Sequence, residues 1–288
     1  MLDKKPEWIK KKVSFNNENI RIVTELLEKT NLNTVCKSAK CPNIYECFSK
    51  KTATFMILGN SCTRRCRFCG VEKSKPETLD EKEPENIAKA AKELGLKYIV
   101  VTSVTRDDLE DGGALQFVKV VRELKKNLPD SRIECLIPDF KGSIKDLRTV
   151  LNEDIFVLNH NVETVKRLYG QIRPIAEYQT SLNLLKNVKS IRKDVYSKSG
   201  FMLGLGETRD EISELLIDLK NHDVDIITIG QYLRPAKENI EVFKYYTPKE
   251  FEEIKEEAQR LNFLSVACDT FVRSSYLAAD INAFKNFA

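Results

Sequence analysis

Cysteines are the residues of this chain whose type and spacing could do chemistry. Six of its eight cysteines fall into two triplets with different spacings. The first triplet lies in CKSAKCPNIYEC and the second in CTRRCRFCG. The thiols belong to Cys36, Cys41 and Cys47 in the first triplet, and to Cys62, Cys66 and Cys69 in the second. Thiols clustered in this way indicate metal binding or redox chemistry.

The composition indicates a soluble globular protein. The chain has 288 residues, of which 42% are hydrophobic and 31% are charged. The N-terminal sequence MLDKKPEWIKKKV has no apolar signal region, and no long apolar run is present in the rest of the chain, so we expect a cytoplasmic protein without a membrane span. Disulfides are rare in the reducing cytoplasm. The remaining cysteines, Cys135 and Cys268, lie in apolar runs and are expected to be buried free thiols.

The net charge of the chain is only +4. Its lysines and arginines are interleaved with nearly as many acidic residues, which favours a solvated surface over a nucleic-acid interface. A mildly basic face could still steer an acidic protein partner.

The spacing of the cysteines favours iron–sulfur clusters over zinc. Structural zinc takes four ligands, commonly in C-x2-C pairs, and Cys66 and Cys69 form the sole such pair. The two histidines, His160 and His222, are far away in sequence. A 4Fe–4S cluster accepts thiolates at unequal spacings. With three cysteines, such a cluster keeps one iron open to a substrate or cofactor.

The elements that must position these thiols can be read from the hydrophobic pattern. Short apolar runs indicate buried strands at 52–58, 97–103, 133–139, 155–161, 199–205 and 225–233. Segments with helical period lie between them, and two begin with a Thr-x-x-Glu capping box, at Thr208 and Thr247. This alternation predicts a parallel sheet built from about six strand–helix units, with FLSVACD as a candidate seventh strand.

We therefore predict an α/β fold, an open, partial TIM-like β/α barrel at residues 51–265. Chemistry in such folds collects at the carboxyl ends of the strands, and the second triplet comes directly after the first predicted strand. Residues 1–50, which carry the first triplet, and residues 266–288 are expected to be extensions packed on the barrel. Neither is long enough to bury a core alone.

Two further motifs have less specific readings. Arg64 and Arg65 stand between the ligands and are expected to be exposed, where they would tune a cluster potential or dock an acidic partner. GLGE at 204–207 could bind phosphate, but a glycine pair after a strand is more often a tight turn.

The second triplet resembles the radical S-adenosylmethionine superfamily. The likeness rests on C-x3-C-x2-C with Phe68 before the last cysteine, on the loop after the first strand of a partial barrel. It implies that S-adenosylmethionine chelates the open iron and that one-electron reduction cleaves it to a 5′-deoxyadenosyl radical. The cofactor would supply the reactivity, and the protein its position and the exclusion of solvent.

The first triplet and most of the later sequence resemble the lipoyl synthase family, from about Val35 to Ala278. The similar blocks include TSVTRDDLEDGGA, NHNVETV, QYLRP, YYTPKEFEEIK and VRSSY. The resemblance implies a second 4Fe–4S cluster on Cys36, Cys41 and Cys47, with Ser275 as fourth ligand and Ser274 as the alternative. That cluster would be the sulfur donor for insertion at C6 and C8 of a protein-bound octanoyl chain.

The same resemblance implies further site residues and partners. Asn161, Glu163 and Arg173 match positions that contact the ribose and amino-acid parts of the cofactor; for Asn161 and Glu163, a helix cap and an ordinary first-turn residue are the alternatives. The implied partners are an octanoylated lipoyl-carrier domain or an acidic H-protein-like protein, a ferredoxin or flavodoxin-type electron donor, and an iron–sulfur carrier protein.

Two other functions would also use clustered cysteines. A biotin-synthase-like sulfurtransferase is disfavoured, because its sacrificial centre is a smaller cluster with differently placed ligands. A zinc-stapled nucleic-acid-binding module would use the cysteines structurally and the positive charge for phosphates.

Overall fold

The computed structural model describes residues 5–11, 17–276 and 278. The chain divides into two compact units. The N-terminal unit comprises Val13–Arg65 and Gly70–Asn159, and the C-terminal unit comprises His160–Ala288, Met1–Lys12 and Cys66–Cys69, each as far as its residues are described. The outermost parts of the predicted extensions, at 1–4, 12–16, 277 and 279–288, lie outside the described residues.

The N-terminal unit contains four parallel strands, ordered β1-β2-β3-β4. Its elements are α1 (Glu18–Lys29), α2 (Val35–Ser38), α3 (Ile44–Ser49), β1 (Thr54–Ile57), α4 (Glu83–Glu93), β2 (Tyr98–Ser103), α5 (Ala114–Asn127), β3 (Arg132–Leu136), a 3-10 turn (Phe140–Gly142), α6 (Ile144–Leu151) and β4 (Val157–Asn159). Fully buried apolar side chains of strands and helices, among them Phe55, Ile99 and Phe117, form its core.

The C-terminal unit contains three parallel strands, ordered β5-β6-β7. Its elements are 3-10 turns at Glu7–Ile9 and Lys166–Leu168, α7 (Tyr169–Ile172), α8 (Tyr178–Ile191), β5 (Tyr196–Leu203), α9 (Arg209–Asn221), β6 (Ile226–Gln231), α10 (Pro248–Arg260) and β7 (Ser265–Asp269). A continuous apolar cluster that includes Phe201, Leu216 and Phe251 forms its core.

The predicted α/β class with parallel strands is confirmed. Strands β1 to β6 are each followed by helix before the next strand, and FLSVACD supplies β7. Both predicted capping boxes are present: Thr208 with Glu211 starts α9, and Thr247 with Glu250 starts α10. In each box the threonine hydroxyl accepts from a first-turn N–H, and the glutamate accepts from the N–H of the threonine.

No helix within the described part of the chain is both long and apolar enough to cross a membrane.

Candidate functional site

The loop after β1 carries Cys62 and is held by its own backbone. The N–H of Cys62 donates to Glu72 O at 2.9 Å, and the N–H of Thr63 donates to Thr105 O at 3.0 Å. The Cys62 sulfur accepts two N–H groups, from Arg64 and from Thr105, each at 3.4 Å. Both donors are backbone groups, so they fix the position of this sulfur.

Arg64 clamps this loop to the two following strand ends. Its Nε and Nη2 donate to Asp107 at 2.7 and 3.0 Å, and Nη1 and Nη2 donate to Asp139 at 2.5 and 2.6 Å. The side chain is only 5% exposed, so the expectation of an exposed Arg64 is wrong. Burial alone would lower the pKa of Arg64, but the hydrogen bonds and charges of the two carboxylates outweigh it and raise that pKa. The planar guanidinium suits this fork because it can bond both acids bidentately.

Cys66 and Cys69 belong to the C-terminal unit, where loop contacts hold the stretch between them. The N–H of Cys69 donates to Cys66 O at 3.2 Å, and the N–H of Arg67 donates to Ile172 O at 2.9 Å. The amide of Asn239 donates to Arg67 O at 3.1 Å and to Cys69 O at 2.9 Å. Both cysteines are half-buried. Asn239 thus fixes the backbone that carries the last cysteine.

The first triplet lies on two short helices of the N-terminal unit. Cys36 is in α2, Cys47 is in α3, and Cys41 is in the turn between them. The N–H of Cys41 donates to Cys36 O at 3.1 Å, and the N–H of Cys47 donates to Asn43 O at 2.9 Å. Thr52 donates its N–H and its hydroxyl to Cys47 O, both at 2.9 Å. These turns gather the three thiols in one place.

The three thiols interact electrostatically. The pKa of the Cys36 thiol is raised to about 12, first by burial and then by Cys41 and Cys47, whose charges would repel its thiolate; hydrogen bonds with Thr54 act in the opposite direction. Without a metal, Cys36 is therefore protonated at neutral pH. A bound cation would remove that penalty, because thiolate ligands must lose their protons to bind.

The donor sets fit clusters better than single ions. All eight cysteines are free thiols. Among the described residues, no three Cys, His, Asp or Glu side chains converge closely enough to hold a single metal ion. Three thiols per set would leave a tetrahedral zinc ion one ligand short, whereas a 4Fe–4S cluster accepts thiolates at unequal spacings. Cys135 and Cys268 are buried, as predicted.

Asn161, Glu163 and Arg173 come together in the C-terminal unit. Arg173 donates from Nη1 to Asn161 O at 3.1 Å, and its guanidinium lies 5.0 Å from the centre of the Tyr169 ring. Burial raises the pKa of the Glu163 carboxyl, while the charge of Arg173 and a hydrogen bond from Asn161 lower it. The three side chains therefore form one cluster of complementary charge.

The backbone at Glu163 is strained and firmly held. Its φ of 70° lies in the left-handed region, which a glutamate seldom adopts. Its N–H donates to Gly200 O at 3.0 Å, and its carbonyl accepts from Met202 N–H at 2.9 Å. Backbone strain of this kind persists where the surrounding structure enforces it, and it concentrates at functional sites.

Asn161 offers an acceptor for a ligand. Its Oδ1 is buried and makes no hydrogen bond to any described residue. A Cβ at Gly200 would lie 3.2 Å from this oxygen and would overlap Thr228 Oγ1, so only a glycine lets Thr228 and Asn161 lie this close to the strand. A buried acceptor of this kind suits a hydroxyl or amine donor such as S-adenosylmethionine carries.

The serines of VRSSY lie in a turn after β7 and are half-buried. The two differ in their contacts: Asn161 Nδ2 donates to Ser274 Oγ at 2.6 Å. Ser275 as fourth ligand of the first triplet stays a prediction.

The GLGE segment forms the tight turn that the sequence favours. The carboxylate of Glu207 accepts the N–H groups of Gly204 at 2.6 Å and of Leu205 at 2.9 Å. Those amides are therefore already used within the turn and do not form a phosphate site.

Three supporting residues were missed from the sequence: Asp107, Asp139 and Asn239. Asp107 lies in the TRDD stretch, where paired acids after a strand end could have suggested a partner for an arginine. Asp139 ends a strand run, and Asn239 lies in a loop without any motif. Neither position carries a signal by itself.

The model of the radical SAM superfamily matches residues 56–219, more than half of the chain, which places the chain in that superfamily. Its cofactors are accordingly 4Fe–4S clusters and S-adenosylmethionine.

Curated relatives narrow the family. Lipoyl synthase of Caldanaerobacter subterraneus is 53% identical over 96% of this chain and 97% of its own length. The lipoyl synthases of Caldicellulosiruptor bescii and Burkholderia mallei are 50% and 49% identical over 96% and 97% of this chain, and over 94% and 85% of their own lengths. The chain belongs to the lipoyl synthase family, and it is a radical S-adenosylmethionine enzyme.

Solved structures share the fold. Methylornithine synthase aligns with a TM-score of 0.56 at 17% identity, over 89% of this chain and 75% of its own. The FeFe-hydrogenase maturase HydG of Carboxydothermus hydrogenoformans aligns with a TM-score of 0.57 at 15% identity, over 86% of this chain and 65% of its own. The predicted open β/α barrel is confirmed as the fold class.

Alkylation should show the protection of Cys36. Because the thiolate is the reactive form and the pKa of Cys36 is raised to about 12 by burial, we expect it to react in the folded, metal-free chain at least about tenfold more slowly than in denatured chain, near neutral pH. The folded rate should continue to rise as the pH approaches 12. Peptide mass spectrometry after iodoacetamide treatment measures both rates. Equal rates in folded and denatured chain would contradict this picture.

The Arg64 clamp should dominate the stability of the loop. Arg64→Gln leaves two acidic groups without their cation, one of them buried, so we expect a loss of about 3–5 kcal/mol in the free energy of unfolding. The matched control is Arg65→Gln, which removes the same charge from an exposed neighbour. It should change the free energy of unfolding by less than about 0.5 kcal/mol. Urea unfolding of the metal-free chain measures both. Similar losses for the two variants would show that the clamp is unimportant.

Proposed function

We propose that this chain inserts sulfur at C6 and C8 of a protein-bound octanoyl-lysine, with an auxiliary 4Fe–4S cluster as sulfur donor. The observation that carries the proposal is the first triplet. The superfamily reaction needs three cysteines, and this chain gathers a second set of three thiols close enough to repel one another. Membership in the lipoyl synthase family over nearly the whole chain supports the same conclusion.

In this proposal Cys62, Cys66 and Cys69 hold the cluster that binds S-adenosylmethionine. When bound, these groups supply a radical strong enough to remove hydrogen from an unactivated carbon, which no acid–base side chain could deprotonate. The chain's own part is positional. The Arg64 clamp fixes the loop of Cys62, and Asn239 fixes the backbone of Cys69.

The cofactor would be oriented by Asn161, Glu163 and Arg173. Asn161 Oδ1 offers a buried acceptor for a hydroxyl or amino group. The Glu163 carboxylate would attract the positive end of the cofactor's amino-acid part, and Arg173 would attract its carboxylate. Charges placed at both ends would fix the cofactor in one orientation.

The auxiliary cluster would be held by Cys36, Cys41, Cys47 and Ser275. An alkoxide binds iron less firmly than a thiolate, so the serine would give this cluster one detachable corner. We propose that residues 1–50 and 266–288 act as the extensions that supply these ligands to the barrel of 51–265.

The proposed setting is the cytoplasm. The substrate would be an octanoylated lipoyl-carrier domain or an acidic H-protein-like protein. A ferredoxin or flavodoxin-type protein would supply electrons, and an iron–sulfur carrier protein would restore the spent cluster. The slight excess of basic residues, +4, would favour encounter with an acidic carrier.

An anaerobic reaction tests this function. Reconstituted protein, S-adenosylmethionine, dithionite and an octanoyl-lysyl peptide should yield a peptide with two added sulfurs by mass. Iron analysis should give about eight irons per chain, whereas about six would favour the biotin-synthase-like chemistry. A colourless protein filled with zinc would overturn the proposal.

Replacing each triplet of cysteines by alanine should affect a different step of the reaction. Loss of Cys62, Cys66 and Cys69 should abolish cofactor cleavage, because the open iron is gone. Loss of Cys36, Cys41 and Cys47 should leave cleavage to 5′-deoxyadenosine but remove sulfur insertion, and should halve the iron content. Chromatography of deoxyadenosine and mass of the peptide measure the two steps. Sulfur insertion by the second variant would disprove the donor role.

A further inference from the structure

The segment that bears the proposed iron ligand Ser275 also reaches the proposed cofactor residues. Ser274, its neighbour, accepts a hydrogen bond from Asn161 Nδ2 at 2.6 Å. The two residues are far apart in sequence but belong to the same unit. The turn that carries Ser275 is thus hydrogen-bonded to Asn161 through the preceding residue, Ser274. We call residues 272–275 the tail segment.

The close approach of the tail segment to β6 depends on a glycine. A Cβ at Gly230 would overlap Val272 O, and because this is a backbone atom, no side chain fits at this position. Two backbone hydrogen bonds shape the turn, from Val272 N–H to Asp269 O at 3.1 Å and from Tyr276 N–H to Arg273 O at 3.0 Å. The tail segment is therefore held in a defined position within the C-terminal unit.

Charge reinforces the contact. The positive charges of Arg173 and of Arg273 both lower the pKa of the Glu163 carboxyl against the larger effect of its burial. Arg173 comes from the end of α7 and Arg273 from the tail segment. The tail segment therefore contributes one of the two cations that favour the charged form of Glu163.

The neighbours of Asn161 decide which way its amide faces. The hydrogen bond between Asn161 and Glu163 lowers the pKa of that carboxyl, as a bond donated by the amide nitrogen Nδ2 does. The same nitrogen donates to Ser274. With both partners on the nitrogen side, Oδ1 is left without a hydrogen bond to any described residue. Ser274 thereby helps to keep this acceptor available to a ligand.

We propose that Ser274 is a positioning residue for S-adenosylmethionine, acting through Asn161, so that the tail segment that carries Ser275 also strengthens cofactor binding. The inference rests on the proposed function, since it takes the same cofactor and the same Asn161. Ser274 does not itself touch the cofactor in this scheme. By linkage, cofactor binding stabilises the tail segment to the same degree.

Affinity of the reconstituted, anaerobic protein for S-adenosylmethionine tests the inference. One lost hydrogen bond corresponds to about a three- to tenfold change, so Ser274→Ala should weaken binding by that factor. Ser274→Thr keeps the hydroxyl and should restore binding to within about twofold. Ser190→Ala, which removes an exposed hydroxyl on α8, is the control and should bind like the unaltered chain.

A double-mutant cycle shows whether Ser274 acts through Asn161. In a chain that already carries Asn161→Ala, Ser274→Ala should cause no further loss of affinity, since the group it positions is absent. Independent, multiplying losses would overturn the inference. The inference would also be overturned if the single variant Ser274→Ala bound S-adenosylmethionine as tightly as the unaltered chain while the single variant Asn161→Ala bound it weakly.

Iron content separates Ser274 from the ligand Ser275. Ser274→Ala should retain the full iron content, while Ser275→Ala should lower the stability of the auxiliary cluster. A loss of iron in Ser274→Ala alone would make Ser274 the ligand and overturn its positioning role.

Hydrogen exchange supplies a readout independent of turnover. The amides of Val272 and Tyr276 are hydrogen-bonded to Asp269 O and to Arg273 O, at the two ends of the tail segment. Both should exchange more slowly when S-adenosylmethionine is bound, and this slowing should be lost in Ser274→Ala. Exchange unaffected by the cofactor would overturn the linkage. If the unaltered chain bound no S-adenosylmethionine, the proposed function and the inference would both fall. If it bound the cofactor with the expected variant effects but made no product, the proposed function alone would fall.

Discussion

Thiolates repel one another, so any chain that gathers three of them must hold them in place until a metal neutralises their charge. In this protein the first triplet shows the cost directly, because burial and the neighbouring thiols Cys41 and Cys47 raise the pKa of Cys36 to about 12. Backbone hydrogen bonds in α2, α3 and the turn between them hold the three cysteines in place. Thiols must lose their protons to bind a metal, so metal binding at this triplet would be coupled to proton release.

The part of the second triplet that carries Cys62 is held by a different kind of interaction. Its loop is fixed by the buried guanidinium of Arg64, which bonds two carboxylates, one after β2 and one after β3. Parallel strands bring their carboxyl ends to the same edge, so a side chain from the loop after β1 can reach both acids. A lysine at position 64 could not bond both carboxylates bidentately, which gives the residue type a physical reason.

Asn161, Glu163 and the tail segment depend on close backbone approach. A Cβ at Gly200 would overlap Thr228 Oγ1 beside Asn161, and a Cβ at Gly230 would overlap Val272 O. Glu163 is held with a left-handed backbone between two hydrogen bonds to β5. Because the glycines let separate stretches of backbone approach so closely, polar residues distant in sequence can share one site.

The sequence by itself determined the class of fold and the kind of cofactor. Strand and helix periods, the capping boxes at Thr208 and Thr247, and the spacing of the cysteines are local patterns, and local patterns can be recognised without knowing what lies nearby in space. The tertiary structure alone decided which partners each group meets: that Arg64 is buried between Asp107 and Asp139, that Asn239 holds the backbone of Cys69, and that Ser274 bonds Asn161. These contacts join residues far apart in the chain, and their geometry is set by how the strands and loops pack, which no short stretch of sequence encodes.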